Sequence, residues 1–251
     1  MAGFGIQHFI YKGVIEGLDI LPRGLPGHIV WAYAVGTLLI LASICIVTEK
    51  FGRLAATVLA DMFLLTLIFR HGPIIAAIGP DLRERTRAFE TLTMCGGCFV
   101  LAATIPGIDL RSPRWAGAIR MAGEVGRIFF ALSMAVFGWS HLLIPAFIAS
   151  LIPAWIPWHI FWVYATALVF FAAAISIAVK RFTRITASML GLMLFSWVLF
   201  LHEPRVAAAL HNGDEWNSLF VALAISGFAL IFVVSSPRLR DRLLHSFDAS
   251  R

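Results

Sequence analysis

The sequence has 251 residues, of which 60% are hydrophobic and only 14% are charged. Because a soluble domain carries about 25% charged residues, this composition excludes an ordinary soluble globular protein. Apolar stretches of roughly 17 to 24 residues separate the charge clusters, and each can cross a hydrocarbon core of about 30 Å. These stretches are apolar on every side, which excludes the alternating pattern of a β-barrel. We therefore predict an all-α, polytopic transmembrane helical bundle in contact with the lipid bilayer, with no nucleic-acid partner despite the net charge of +6.

Residues 1–105 are predicted to form a first repeat with three full spans, at about 28–48, 54–71 and 88–105. Its first helix is expected to be a stub, because the residues that would match Gly126 to Val136 lie before Met1. Residues 106–121 are predicted to be a basic cytoplasmic linker. A second repeat over 122–236 has four spans, at about 122–148, 159–179, 184–201 and 215–236. Residues 237–251 form a basic tail, expected to lie on anionic cytoplasmic lipid.

The division into repeats depends on matches between the two halves at a constant offset of 131 residues. The pairs include Pro22/Pro153, Pro26/Pro157, His28/His159, Trp31/Trp162, Tyr33/Tyr164, Phe51/Phe182, Arg53/Arg184, His71/His202 and Pro73/Pro204. Upstream, Phe4 to His8 match Phe137 to His141 at an offset of 133, and downstream Phe89 to Leu92 match Trp216 to Leu219 at 127. Four spans per repeat predict that the two copies run parallel across the membrane.

The distribution of basic residues predicts the orientation. Of the 20 Lys and Arg residues, 13 fall on one side of the predicted spans. The remaining seven are Lys12, Arg23, Arg70, Arg83, Arg85, Arg87 and Arg205. The richer side is assigned to the cytoplasm, so we predict a multi-pass protein of the bacterial inner membrane with a cytoplasmic C-terminus.

Candidate site residues gather at the helix ends on the opposite, outer side. The set consists of His8, His28, Tyr33, His71, Glu90, His141, His159, Tyr164, His202 and Asn217. Imidazoles at an interface can hydrogen-bond a quinone carbonyl, ligate a metal, or simply cap helix ends. No spacing puts two ligands on one helical turn, so we predict no metal site and give the cofactor as unknown, with a quinone as one candidate.

Two further features inside the spans leave alternatives open. Asp61 lies near the middle of its span, where it can serve a proton relay, a polar contact between the repeats, or packing. Cys95 and Cys98 form a CxxC motif that fits either a redox thiol pair or close helix packing through small residues.

Three short motifs carry a resemblance to a known family. Phe137 to His141, Ile156 to Tyr164 and Leu201 to Pro204 resemble the DoxX-like family of bacterial four-helix membrane proteins, and the first half is similar to a second such unit. Members of that family include a subunit of an archaeal thiosulfate:quinone oxidoreductase and a component of a mycobacterial membrane redox complex. The resemblance implies a redox-associated inner-membrane subunit with a soluble or membrane redox partner.

Three hypotheses of function follow from these observations. The first is a subunit that binds a quinone-like or other hydrophobic ligand near the outer face. The second is a membrane scaffold or binding subunit without chemistry, or a pathway for small solutes. The third is an enzyme acting on an isoprenoid lipid, with Asp61 or Glu90 as the acid.

Overall fold

The structure, a computed structural model, describes residues 1–12, 27–78, 81–105 and 113–235. Every regular element in these residues is a helix, which confirms the predicted all-α class. The helices are α1 (Ala2–Ile10), α2 (His28–Val47), α3 (Gly52–Thr66), α4 (Gly72–Ile78), α5 (Leu82–Thr104), α6 (Pro113–Leu143), α7 (Pro145–Leu151), α8 (His159–Val179), α9 (Thr183–Trp197), α10 (Glu203–Ala208) and α11 (Gly213–Val234). Two π-helical turns, Leu67–His71 and Val198–His202, join α3 to α4 and α9 to α10.

Six helical segments among the described residues are long and apolar enough to cross a membrane. They are His28–Val47, Gly52–Ala77, Trp115–Leu143, His159–Val179, Thr183–Ala208 and Gly213–Val234. This number supports an integral, multi-pass membrane protein. The seventh predicted span, 88–105, lies in α5, whose first turns carry Arg and Glu residues that lower its hydropathy. Because α5 packs against α3, α6 and α11, most of its apolar half is shielded from lipid by other helices.

The repeat in the sequence is matched by a repeat in backbone conformation. Six of the seven left-handed residues in the described part of the chain form pairs 131 positions apart, at Gly27/Trp158, Glu49/Lys180 and Phe51/Phe182, and Lys12 is the seventh. The π-helical turns and the first residues of α2/α8, α3/α9 and α5/α11 keep the same offset. The two repeats therefore have the same backbone conformation at these positions, although many of their side chains differ.

The helices of the two repeats pack against one another in the same order. In each repeat the first helix packs on the second, the second on the third and the third on the fourth. The repeats meet where α5 packs on α6, where α5 packs on α11, and where the short α1 touches α11. The α1 contact includes an edge-to-face pair of Phe4 and Phe220, with ring centroids 5.7 Å apart. Matching pairs of helices therefore pack together in both repeats.

Several helix boundaries differ from the prediction. Helix α6 begins at Pro113, within the segment predicted as a linker, and ends at Leu143 because Pro145 forces Ile144 out of helical geometry. Helices α4 and α10 continue beyond the predicted span ends, since a π-helical turn precedes Pro73 and Pro204 and absorbs the backbone mismatch that proline causes. Residues 106–112 of the predicted linker and the tail over 237–251 lie outside the described residues.

Candidate functional site at the histidine ends of the helices

We call the membrane side that holds His71 and His202 the histidine side, and the other the basic side. The structure places all six predicted histidines of the two repeats at helix ends on the histidine side. It does not gather them into one site. Within the described residues, no group of three His, Cys, Asp or Glu residues is arranged to hold a metal ion. The histidines therefore have to be considered pair by pair.

In the first pair, the side chains of His8 and His141 each form a hydrogen bond with the backbone of their own helix. The Nδ1 atom of His8 lies 2.7 Å from the carbonyl oxygen of Phe4, and that of His141 lies 2.8 Å from the carbonyl oxygen of Phe137. Because a carbonyl oxygen only accepts, Nδ1 carries the proton and donates in both residues. The same Phe–His contact in both repeats stabilises the last turns of α1 and α6.

The second pair, His28 and His159, occupies the first residue of α2 and α8. His28 is exposed, whereas His159 is half-buried and lines an apolar groove of about 870 Å³ formed by Ala154 and residues 156–161. The tyrosines five residues further along also differ between the repeats. Tyr33 stacks on Phe9 with ring centroids 5.1 Å apart, while Tyr164 is exposed toward lipid.

The third pair, His71 and His202, ends the two π-helical turns, a feature that is often found at functional sites. In the first repeat, His71 is 1% exposed and both of its ring nitrogens have partners. Nδ1 lies 2.6 Å from Oε1 of Glu84, and Nε2 lies 3.2 Å from Oγ1 of Thr91. This histidine is part of a closed internal network.

The matching histidine in the second repeat lacks such partners for its Nδ1 atom. The Nδ1 atom of His202 is buried and has no hydrogen-bond partner among the described residues. Glu215 matches Glu84. Its Oε1 atom accepts a hydrogen bond from Nη2 of Arg205 at 2.9 Å, and its Oε2 atom is buried without a partner among the described residues. Position 222, which matches Thr91, is an alanine and supplies no hydroxyl group. The same backbone thus carries an internally satisfied histidine in one repeat and an unsatisfied one in the other.

The register of the fourth helices corrects one sequence match. Asp81 and Asn212 cap α5 and α11 with their side chains, and these caps are 131 residues apart. The match of Glu90 with Asn217 at an offset of 127 is therefore wrong. It came from a short similarity between hydrophobic segments, whereas the caps mark the helix starts directly. Glu90 is half-buried within α5, and Asn217 lies in the second turn of α11 with its Oδ1 atom buried and unpaired.

The structure separates the remaining predicted residues from this site. Asp61 is exposed on the outward face of α3 and not at the contact between the repeats. Cys95 and Cys98 are free thiols buried in α5, where Gly96 packs against Gly126 of α6 and Gly97 lies under the ring of Phe228. This environment favours close helix packing as the role of the CxxC segment.

The sequence analysis missed four residues of the two histidine sites. Glu84 and Thr91 hold His71, and Arg205 and Glu215 lie beside His202. The offset of 131, continued past Pro73 and Pro204, would have matched Glu84 with Glu215. We call His202, Arg205 and Glu215 the second-repeat polar site; Asn217, two residues after Glu215, does not share its face of α11.

Comparison with protein-family models, curated proteins and solved structures gives no match to this chain. The resemblance to the DoxX-like family stays a prediction.

Proposed function

We propose that this integral membrane protein binds the polar head group of a hydrophobic, quinone-like ligand at the second-repeat polar site. It does so as a redox-associated subunit of the kind that the DoxX-like resemblance implies. The observation that carries the proposal is a pair of buried atoms, Nδ1 of His202 and Oε2 of Glu215, that have no hydrogen-bond partner among the described residues.

Unpaired polar atoms in a buried position are costly. A buried donor or acceptor without a partner costs about 1–3 kcal/mol, and more if the group is charged. A ligand that offers both a carbonyl and a hydroxyl group would remove this cost, because imidazole donates to a carbonyl while a carboxylate oxygen accepts from a hydroxyl. Quinones and quinols have these groups on one ring.

The first repeat supports the same interpretation by contrast. His71 already has Glu84 and Thr91 as partners, so a ligand would have to displace internal hydrogen bonds there. At the second site, Glu215 is shared with Arg205 and Thr91 is replaced by Ala222. A chain that needed these histidines only for stability would gain nothing from leaving one of them open.

The surroundings of His202 suit an apolar tail. Leu199 and Phe200 lie in the same π-helical turn, and their side chains are exposed toward lipid. Phe200 also contacts Trp155 edge-to-face, with ring centroids 6.1 Å apart. A ligand whose head group reaches His202 can therefore leave its tail along an aromatic surface in the bilayer.

The proposal is tested by titrating a short-chain quinone, decyl-ubiquinone, into the purified protein in lipid nanodiscs. Tryptophan fluorescence reports binding, since Trp197 and Trp216 lie on the helices that carry the site. We expect His202→Ala to weaken binding about tenfold, which corresponds to the loss of one buried hydrogen bond. His71→Ala, the matched control, should leave the dissociation constant unchanged.

Two results would contradict the proposal. One is the absence of saturable binding to the unmodified protein, which would favour a scaffold without a ligand. The other is an equal effect of the two histidine substitutions, which would mean that binding does not distinguish the open site from the closed one.

A further inference from the structure

The outward face of α3 carries an acidic residue among apolar ones. Leu54, Val58, Leu65 and Phe69 are 62%, 37%, 43% and 64% exposed, and they recur at the three- and four-residue spacing of one helical face. Asp61 is exposed in the middle of this stripe. We call these five residues the Asp61 stripe.

Asp61 is far from both ends of its span. It is eight residues from Arg53 and ten from His71, or about 12 and 15 Å along a helix that rises 1.5 Å per residue. The exposed ring of Phe51 and the side chain of Arg53 mark the basic side of the membrane. An aspartate side chain is too short to reach head groups over that distance, so its carboxyl group remains at the depth of the hydrocarbon.

The position that matches Asp61 in the second repeat has an apolar residue. An offset of 131 residues matches Asp61 with Leu192, which is 67% exposed. Ile185, Met189 and Phe200 match Leu54, Val58 and Phe69 and are also apolar and exposed. Leu65 is matched by Ser196, whose hydroxyl donates to the carbonyl oxygen of Leu192 on its own helix. Since the two faces have the same backbone conformation, the matched face has no ionisable residue, and Asp61 is the departure that needs a reason.

No group within the described residues pairs with Asp61. The structure gives its side chain no hydrogen bond and no ion pair there, although the carboxyl group lies within electrostatic range of the buried Cys95 thiol of α5. Arg53, the cation on the same helix, donates to the carbonyl oxygen of Ile105 at 2.7 Å. Ionisable residues inside spans almost always pair with another group or face a cavity. A partner for Asp61 is therefore expected outside the described residues.

We propose that the Asp61 stripe binds a transmembrane helix of a partner subunit that carries a basic side chain at mid-depth. Charge complementarity selects this partner over a second copy of the chain. In the described helices the basic residues lie toward helix ends; Arg127, which lies well inside α6, contacts Glu124 and the carbonyl oxygen of Ile177 near the end of α8. A second copy would offer Asp61 only apolar groups or a like charge.

The experiment uses a synthetic transmembrane helix of Leu and Ala with one central lysine, and a matched helix with leucine in its place. Each peptide is labelled and mixed with the labelled full chain in phosphatidylcholine vesicles, and association is measured by resonance energy transfer. We expect the lysine peptide to bind about tenfold more tightly than the leucine peptide, as one hydrogen-bonded contact between spans would provide.

Two variants make the result specific. Asp61→Leu copies the second repeat and should abolish the preference, while Asp61→Leu combined with Leu192→Asp should restore it on the second repeat. Equal binding of the two peptides to the unmodified chain would overturn the proposal. Energy transfer between copies of the chain that disappears in Asp61→Leu, without a lysine preference, would also overturn it and assign the stripe to self-association. Neither result depends on ligand binding at His202.

Discussion

At the scale of single residues, His71 and His202 show how one sequence motif can have two roles. Both follow from the repeat, and the sequence analysis identified both as candidates. Their difference lies in the partners: Glu84 and Thr91 on α5 for His71, against an unpaired Nδ1 atom for His202. These partners come from the fourth helix of each repeat. They were not predicted from the sequence, because a chance similarity at an offset of 127 just downstream replaced the offset of 131 that matches Glu84 with Glu215.

This difference predicts different effects on stability. His71→Ala leaves the half-buried carboxylate of Glu84 without its partner, so we expect a loss of about 2 kcal/mol and a melting temperature lower by several degrees. His202→Ala removes a buried atom that has no partner among the described residues, so relief of its desolvation cost offsets the packing lost with the ring, and we expect a smaller loss than for His71→Ala, or a gain. Thermal unfolding of the purified variants in one detergent measures both. Equal losses would mean that the two sites do not differ as described.

At the scale of helices, the sequence predicted which helices are present and where they begin better than it predicted where they end. The starts of α2 and α8 agree with the prediction because each follows a proline-rich stretch of sequence and begins an uninterrupted apolar run. The continuation of α3 and α9 through Pro73 and Pro204 was missed, since proline usually ends a helix and the π-helical turn that tolerates it has no simple sequence signal. The enclosed position of α5 was also missed, because periodicity does not reveal which helices surround a span.

Two glycines at matched positions test the packing of the fourth helices. A Cβ atom at Gly96 of α5 would lie 2.5 Å from the carbonyl oxygen of Gly126, whereas one at Gly227 of α11 would meet nothing within 4 Å. We expect Gly96→Ala to destabilise the protein by about 1–3 kcal/mol through overpacking, and Gly227→Ala to be neutral or slightly stabilising. Thermal unfolding again measures the pair. A larger loss at Gly227 would contradict the position of α11 beside open space.

At the scale of the whole molecule, two helical repeats with the same backbone conformation differ in the partners of one matched histidine. The repeats, the helical class and the membrane-spanning segments could be predicted from composition and internal similarity. The asymmetry between the copies could not, because it depends on which side chains meet across helices. The orientation with a cytoplasmic C-terminus, the bacterial inner membrane and the redox partner stay predictions.

The most direct test of the central claim is mass spectrometry of the lipids that copurify with the protein from its native membrane. We predict that the unmodified chain and His71→Ala carry a quinone in similar molar ratio, and that His202→Ala carries little or none. The reason is that the second-repeat polar site holds the head group through His202. If the unmodified protein carried no quinone, or if His202→Ala retained as much as His71→Ala, the claim that the open site binds a quinone-like ligand would be contradicted.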